Sequence, residues 1–266
     1  MTKPHRSLFL IRAIMGLLLP FLAATGLKAA ETRAAVAANF TLAAKEIGNA
    51  FEKETSHRVM FSFASTGQLY TQISHGAPFD LFLAADQDRA DKTVANGLAV
   101  PDSRFTYALG RIALYSNTLG GSVSAETLLN TEVRKIAIAN PATAPYGAAA
   151  VTALRRLGFH EQLQGKLVFG ANIAQAFQFV HTRNAELGII ALSQIATSRD
   201  GARWIIPEDL YPPIAQDAVL LKRGADNEAA KAFMAFLKGA EALAIIRKYG
   251  YGSPEQNATP NHEAKP

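Results

Sequence analysis

Cysteine is absent from all 266 residues. That excludes a disulfide framework, a thiolate metal site, a cysteine nucleophile and a lipid-modified N-terminal cysteine. Charge is sparse, at 18% of residues, and there is a single tryptophan. Long apolar runs are also missing: the longest candidate, from Ala13 to Leu27, is bracketed by Arg12 and Lys28 and falls short of the roughly 20 residues that a membrane span needs. What remains is 49% hydrophobic with a mean hydropathy of +0.06. Such a chain is too apolar to be disordered and too interrupted to be polytopic. At roughly 100–200 residues per domain, it has room for one or two domains.

The formal charge of +5 and an isoelectric point near 9.4 point at first to an anionic polymer. The distribution removes that reading. Lys3, Arg6, Arg12 and Lys28 stand in residues 1–30 without one acid, so they hold four of the five charges. The rest of the chain is close to neutral, and a nucleic-acid partner loses its electrostatic footprint. The same thirty residues have a positive start, an uncharged Leu- and Ala-rich stretch, and small residues at Ala29 and Ala30. They read as a secretory signal peptide cut after Ala29 or Ala30, which places the mature chain in the periplasm. Residues 253–266 lack periodicity and read as a disordered tail.

Between these ends, short apolar runs alternate with helical periodicity. Strands are expected at 33–38, 58–63 and 79–84, each followed by a helix, and again at 134–139, 166–169, 187–192 and 218–221. In the first helix Ala43, Ile47, Ala50 and Phe51 share one face, at the 3.6-residue period. Two closing helices are expected at 227–238 and 240–249. The βαβ order implies parallel sheets flanked by helices. We read two lobes: lobe 1 from 31–109 plus 216–252, and lobe 2 from 110–215. The linking segments fall near Tyr107–Gly110 and Ile214–Asp217, and the two crossings make a hinge with a cleft between the lobes.

Candidate chemistry sits where strands end and helices begin: Asn39, Ser65 with Thr66, Pro145-Tyr146-Gly147, and Asn172 with Ile173. Ligands of open α/β sheets bind beyond the carboxyl ends of the strands. Helix starts there offer free N–H groups and partial positive charge, which suit an anion. Taken singly, Asn39, Ser65, Thr66 and Asn172 are equally good N-caps. Catalytic signatures are absent: no H-E-x-x-H, G-x-S-x-G, P-loop or G-x-G-x-x-G occurs. The cluster Asp80, Asp86, Asp88 and Asp91 lacks the EF-hand glycine and fits helix-start charge better than a cation site. Trp204, Phe177 and Phe179 read as packing residues.

Several segments together carry a resemblance: Ala37–Phe40 (AANF), Phe63–Gly67 (FASTG), Gly76–Asp86 (GAPFDLFLAAD), Arg104–Gly110 (RFTYALG), Asn140–Gly147 (NPATAPYG), Leu187–Ala191 (LGIIA) and Lys248–Gly250 (KYG). In that order, over about residues 34–251, they resemble the periplasmic molybdate-binding proteins of ABC transporters. The resemblance implies a two-lobe type II periplasmic binding fold, each lobe a mainly parallel sheet flanked by helices. It implies no enzyme, no cofactor and no free metal cation, with molybdenum held as an oxyanion. The implied partners are molybdate or tungstate and a cognate ABC permease in the inner membrane; the chain acts as a monomer and binds no nucleic acid. Carried onto this sequence, the anion contacts are Asn39, the Thr66 hydroxyl, and the backbone N–H groups of Tyr146 and Ile173. Some relatives place a tyrosine hydroxyl where this chain has Ala191, and the resemblance leaves the Asn39 amide or Ser65 to replace it.

A neutral donor set suits a proton-free dianion, because donors satisfy its oxygens without burying a formal charge. The alternatives differ in observable ways. Sulfate or another tetrahedral anion would need a different cavity size. A periplasmic enzyme on this fold would need a titratable pair at the cleft. A signalling role would need a partner other than a permease.

Overall fold

The computed structural model describes residues 29–253. The signal peptide, apart from Ala29 and Ala30, and the tail beyond Ser253 lie outside the described residues.

The chain opens with β1 (Glu31–Ala37), α1 (Thr41–Thr55), β2 (Arg58–Ala64), α2 (Thr66–Ser74), β3 (Leu81–Leu83), α3 (Gln87–Ala95) and β4 (Phe105–Gly110). It continues through β5 (Ile112–Ser116), β6 (Ile136–Ala139), α4 (Pro145–Arg156), α5 (His160–Leu163), β7 (Leu167–Gly170), α6 (Ile173–His181), β8 (Leu187–Ala191) and β9 (Ala202–Ile205). It closes with β10 (Ile214–Leu220), α7 (Glu228–Leu237) and α8 (Ala240–Lys248).

Two five-stranded sheets result, ordered β2-β1-β3-β10-β4 and β7-β6-β8-β5-β9. In the first, β1 pairs in parallel with β2 and β3, while β10 runs antiparallel to both β3 and β4. In the second, β6 pairs in parallel with β7 and β8, while β5 runs antiparallel to both β8 and β9. Each sheet therefore has one reversed strand, and in each case it is the strand that has just crossed from the other lobe. The other four strands point the same way, so the helix starts that follow them gather at one edge.

The crossings are built from strands rather than loops. Tyr107–Gly110 and Ile214–Asp217 are the end of β4 and the start of β10, hydrogen-bonded to each other. The first crossing occupies only the step from Gly110 through Arg111 to Ile112. A nearly continuous extended ribbon leaves no loop composition to find. The pairing between β4 and β10 skips Tyr107 where the register shifts at Gln216/Asp217, an irregularity of the kind that re-aims side chains.

Apolar clusters form on both faces of the first sheet. Phe40, Ile47, Phe51, Phe233 and Leu237 pack on one face, with the Phe51 and Phe233 rings edge-to-face at 5.2 Å. Leu69, Ile73, Phe82 and Ala90 pack on the other. The second lobe's cluster extends into the first through Ala37, Ala38 and Ala85, so the lobes meet through small side chains. Trp204, Phe177 and Phe179 pack partly buried against that cluster.

Candidate anion site between the lobes

Strands β1, β2, β6 and β7 each end at a helix start, two from each sheet. The four ends meet around one cavity lined by Asn39, Ser65, Thr66, Tyr146 and Ile173, with Ala37, Ala38, Ala85, Ala144 and Pro145 filling between them. Four positions singled out in the sequence, Asn39, Thr66, Tyr146 and Ile173, thus come together. The cavity is small, about 10 Å³, close to the least that holds one water molecule. It suits one compact group rather than an organic substrate.

The lobes are in direct contact around it. The Gly67 N–H donates to the Thr143 carbonyl at 2.9 Å, and Arg89 Nη2 donates to the Ala142 carbonyl at 3.2 Å. Gly147 lets α4 sit tight on the end of β6, since a Cβ there would lie 2.1 Å from the Ala139 carbonyl oxygen.

The Thr66 hydroxyl is fully buried and accepts the Ala85 N–H at 3.1 Å. Its own proton remains for donation. Tyr146 and Ile173 lie in the first turns of α4 and α6, where backbone N–H groups have no intrahelical acceptor. At α4 the first position is Pro145, which gives up no donor that the helix would have used. At α6 the Asn172 side chain caps Gln175 N–H at 3.1 Å, so Asn172 is a cap and Ile173 is left with a free N–H.

Two side chains do less than the sequence suggests. The Asn39 amide is engaged: Nδ2 donates to Gln216 Oε1 at 2.7 Å, Tyr251 Oη at 3.1 Å and Tyr146 Oη at 3.3 Å. Three acceptors already share its two hydrogens, so the donor left to Asn39 is its backbone N–H near the start of the 3-10 turn Ala38–Phe40. Ser65 is also engaged, because its hydroxyl donates to Gln68 Oε1 at 2.9 Å within a capping box that opens α2. Neither side chain has a hydrogen left to donate into the cavity. Ala191 is fully buried and does not line the cavity.

The next residues matter more. The Ser193 hydroxyl donates to the Asn39 carbonyl at 2.8 Å, and Gln194 Nε2 donates to the Ile173 carbonyl at 3.1 Å. One short turn thereby braces a candidate contact on each lobe. These residues, together with Gln216 and Tyr251, carry no motif. The one available signal was a glutamine inside the apolar run that becomes β10.

Formal charge is kept off the cavity wall. Its one titratable side chain is Tyr146, whose hydroxyl is pushed well above the usual phenol range by burial, reinforced by its tyrosine neighbours. Arg89, in the adjoining groove, is paired with Asp86. Asp86 itself caps α3 by accepting the Arg89 N–H at 2.8 Å, and Asp88 lies in the first turn of that helix. Asp80 instead accepts from Thr32, Arg33 and Asn227 in the core of lobe 1. Among the described residues, no group of three or more His, Cys, Asp or Glu side chains could hold a metal ion. The larger groove beside the cavity, about 340 Å³, carries Asp88 and the Asp86–Arg89 pair, so unlike the cavity it is lined by formal charge.

Two α/β lobes, joined by two strands and closed over a small cavity, define the fold of the periplasmic binding proteins. The chain belongs to the family of bacterial extracellular solute-binding proteins, whose family model matches residues 32–252. It is 51% identical over 238 residues to the molybdate-binding protein ModA of Rhodobacter capsulatus, covering 90% of this chain and 92% of that protein. It is 50% identical over 235 residues to ModA of Azotobacter vinelandii, covering 87% and 93%. The solved periplasmic molybdate-binding protein of Azotobacter vinelandii superposes with a TM-score of 0.81 at 37% identity, covering 84% of this chain and 99% of that one. All three are named as binding proteins, with molybdate as the ligand bound.

Proposed function

We propose that this protein captures molybdate, and equally tungstate, in the periplasm and delivers it as a monomer to a cognate ABC permease. The observation that carries the reading is the convergence of Asn39, Thr66, Tyr146 and Ile173, from both lobes, on one small cavity with no charged side chain in its wall. The donors are the Thr66 hydroxyl and the backbone N–H groups of Asn39, Tyr146 and Ile173. Residues 1–30 serve as the export signal.

A proton-free dianion accepts hydrogen bonds at every oxygen. Donors at helix starts answer it without burying a counter-charge, whose desolvation would be costly. Because the donors come from both lobes, the anion favours the closed state by its differential affinity. The lobes that move are 31–109 with 216–252 and 110–215, hinged at Arg111 and at the entry to β10. Relatives named for molybdate at about half identity support the choice of anion.

Calorimetric titration of the exported protein with molybdate, tungstate, sulfate and phosphate tests the reading. Tight, matched binding of the first two is expected. Binding of sulfate in preference to molybdate would overturn it.

A further inference from the structure

We propose that the Tyr146 side chain is a positioning residue that latches the two lobes together over the cavity, and that Gly110 is what admits it. The latch deepens the functional reading above and rests on it for the identity of the ligand alone.

Tyr146 belongs to α4 of lobe 2, yet its hydroxyl lies inside a polar cluster of lobe 1. It accepts from Asn39 Nδ2 at 3.3 Å and from Gln216 Nε2 at 3.2 Å. Gln216 Oε1 in turn accepts from Asn39 and from Tyr107 Oη, the latter at 3.2 Å. Tyr251 Oη closes the cluster by donating to the Asn39 carbonyl at 2.8 Å. All five side chains are buried. One residue therefore lines the cavity from one lobe and is held through its phenol by the other.

Gly110 supplies an independent observation. It is the last residue of β4, one step before the crossing to lobe 2. A Cβ at that position would lie 2.2 Å from Tyr146 Oη and 2.9 Å from Gln216 Nε2. Both atoms are side-chain ends, so a methyl group there would be accommodated by driving the hydroxyl or the amide out of the cluster. The hinge strand thus carries a gap shaped to the tyrosine's end.

The consequence is kinetic. Opening the lobes withdraws a buried hydroxyl and leaves the Gln216 amide N–H short of the acceptor it had in Tyr146 Oη, and buried polar groups so stranded are costly. Release requires opening, so the latch slows release. Capture begins from the open form, where the latch is not engaged, so the association rate is set elsewhere.

The test uses Tyr146→Phe, which deletes the hydroxyl and keeps ring and backbone N–H, and Gly110→Ala, which evicts the hydroxyl without altering it. Stopped-flow measurement with molybdate should show dissociation faster by about tenfold in both variants, with most of the affinity loss in that rate. In Gly110→Ala, at a position outside the cavity wall, the preference for molybdate over sulfate should stay as in the parent. A second readout needs no ligand. The Gly67 amide is bonded across the lobes to Thr143, so its hydrogen exchange in the unliganded protein should quicken in both variants, while amides within β1 and β6 keep their rates. Unchanged release and unchanged Gly67 exchange would overturn the latch. So would a loss confined to association or to anion preference, since that would make Tyr146 a shaper of the cavity. If the parent protein takes up no molybdate, the functional reading has failed, and Gly67 exchange still decides the latch.

Discussion

The hydroxyl of Thr66 accepts the Ala85 N–H at 3.1 Å, and both residues line the interlobe cavity. An acceptor fixed in this way has its own proton to give. Thr66→Ala should therefore weaken molybdate binding about ten- to a hundredfold, the worth of one donor to a charged acceptor. It should also lower stability by roughly 1–3 kcal/mol, because the buried Ala85 N–H is stranded. Thr66→Ser should keep most of both. Titration calorimetry and urea unfolding measure the two effects separately, and equal affinity in all three proteins would make Thr66 a purely structural acceptor.

Ile173 offers a way to delete a backbone donor. It is the first residue of α6, and Asn172 before it is extended, with φ −151° and ψ 176°. Proline is tolerated at that helix position and requires an extended predecessor. Ile173→Pro should fold and lose about ten- to a hundredfold in molybdate affinity, while Ile173→Ala, which keeps the N–H, should lose far less. Matched affinities for the two variants would remove the Ile173 N–H from the site.

Alkaline stability should depend on Tyr249. Burial, then its hydrogen bond to Glu46 and that group's charge, raise the phenol from 10.0 to about 12. A raised phenol stabilises the fold while protonated, so the contribution is complete below about pH 10 and disappears as the pH climbs through about 12. Melting temperatures taken between these limits should fall more steeply for the parent than for Tyr249→Phe. Parallel curves would show that the phenol titrates alike in the folded and unfolded chains.

The sequence made the helix-start positions legible because strand ends and caps obey local rules. Asn39, Thr66, Tyr146 and Ile173 were each visible as residues that follow an apolar run. Their convergence was not, since it depends on how two sheets face each other. The polar bracing was the least visible part. Gln216 stood in a stretch read as a link, because a crossing built from paired strands has no loop signature. The Asn39 amide is one of the groups that the resemblance leaves to stand in for a tyrosine hydroxyl, yet Tyr146, Gln216 and Tyr251, which stand far from it in sequence, already take its hydrogens. Strand β9 went unread because Ala202–Ile205 alternates too briefly to stand out at the edge of its sheet.

Selectivity by proton count tests the account most directly. The cavity wall holds donors and no group that titrates near neutrality, with the Tyr146 phenol held well above its usual range by burial. Phosphate near neutral pH keeps a P–O–H that would meet donors alone, at a cost of about 1–3 kcal/mol or more. Sulfate has no such proton and would be rejected by size, through hydrogen bonds stretched past about 3.2 Å. The decisive measurement is a set of calorimetric titrations with molybdate, sulfate and phosphate from about pH 6.5 to 8, the interval in which a histidine would change charge. The account predicts molybdate affinity that is flat with pH and well above that of both other anions. A steep pH dependence, or phosphate bound as tightly as molybdate, would contradict a cavity lined by neutral donors.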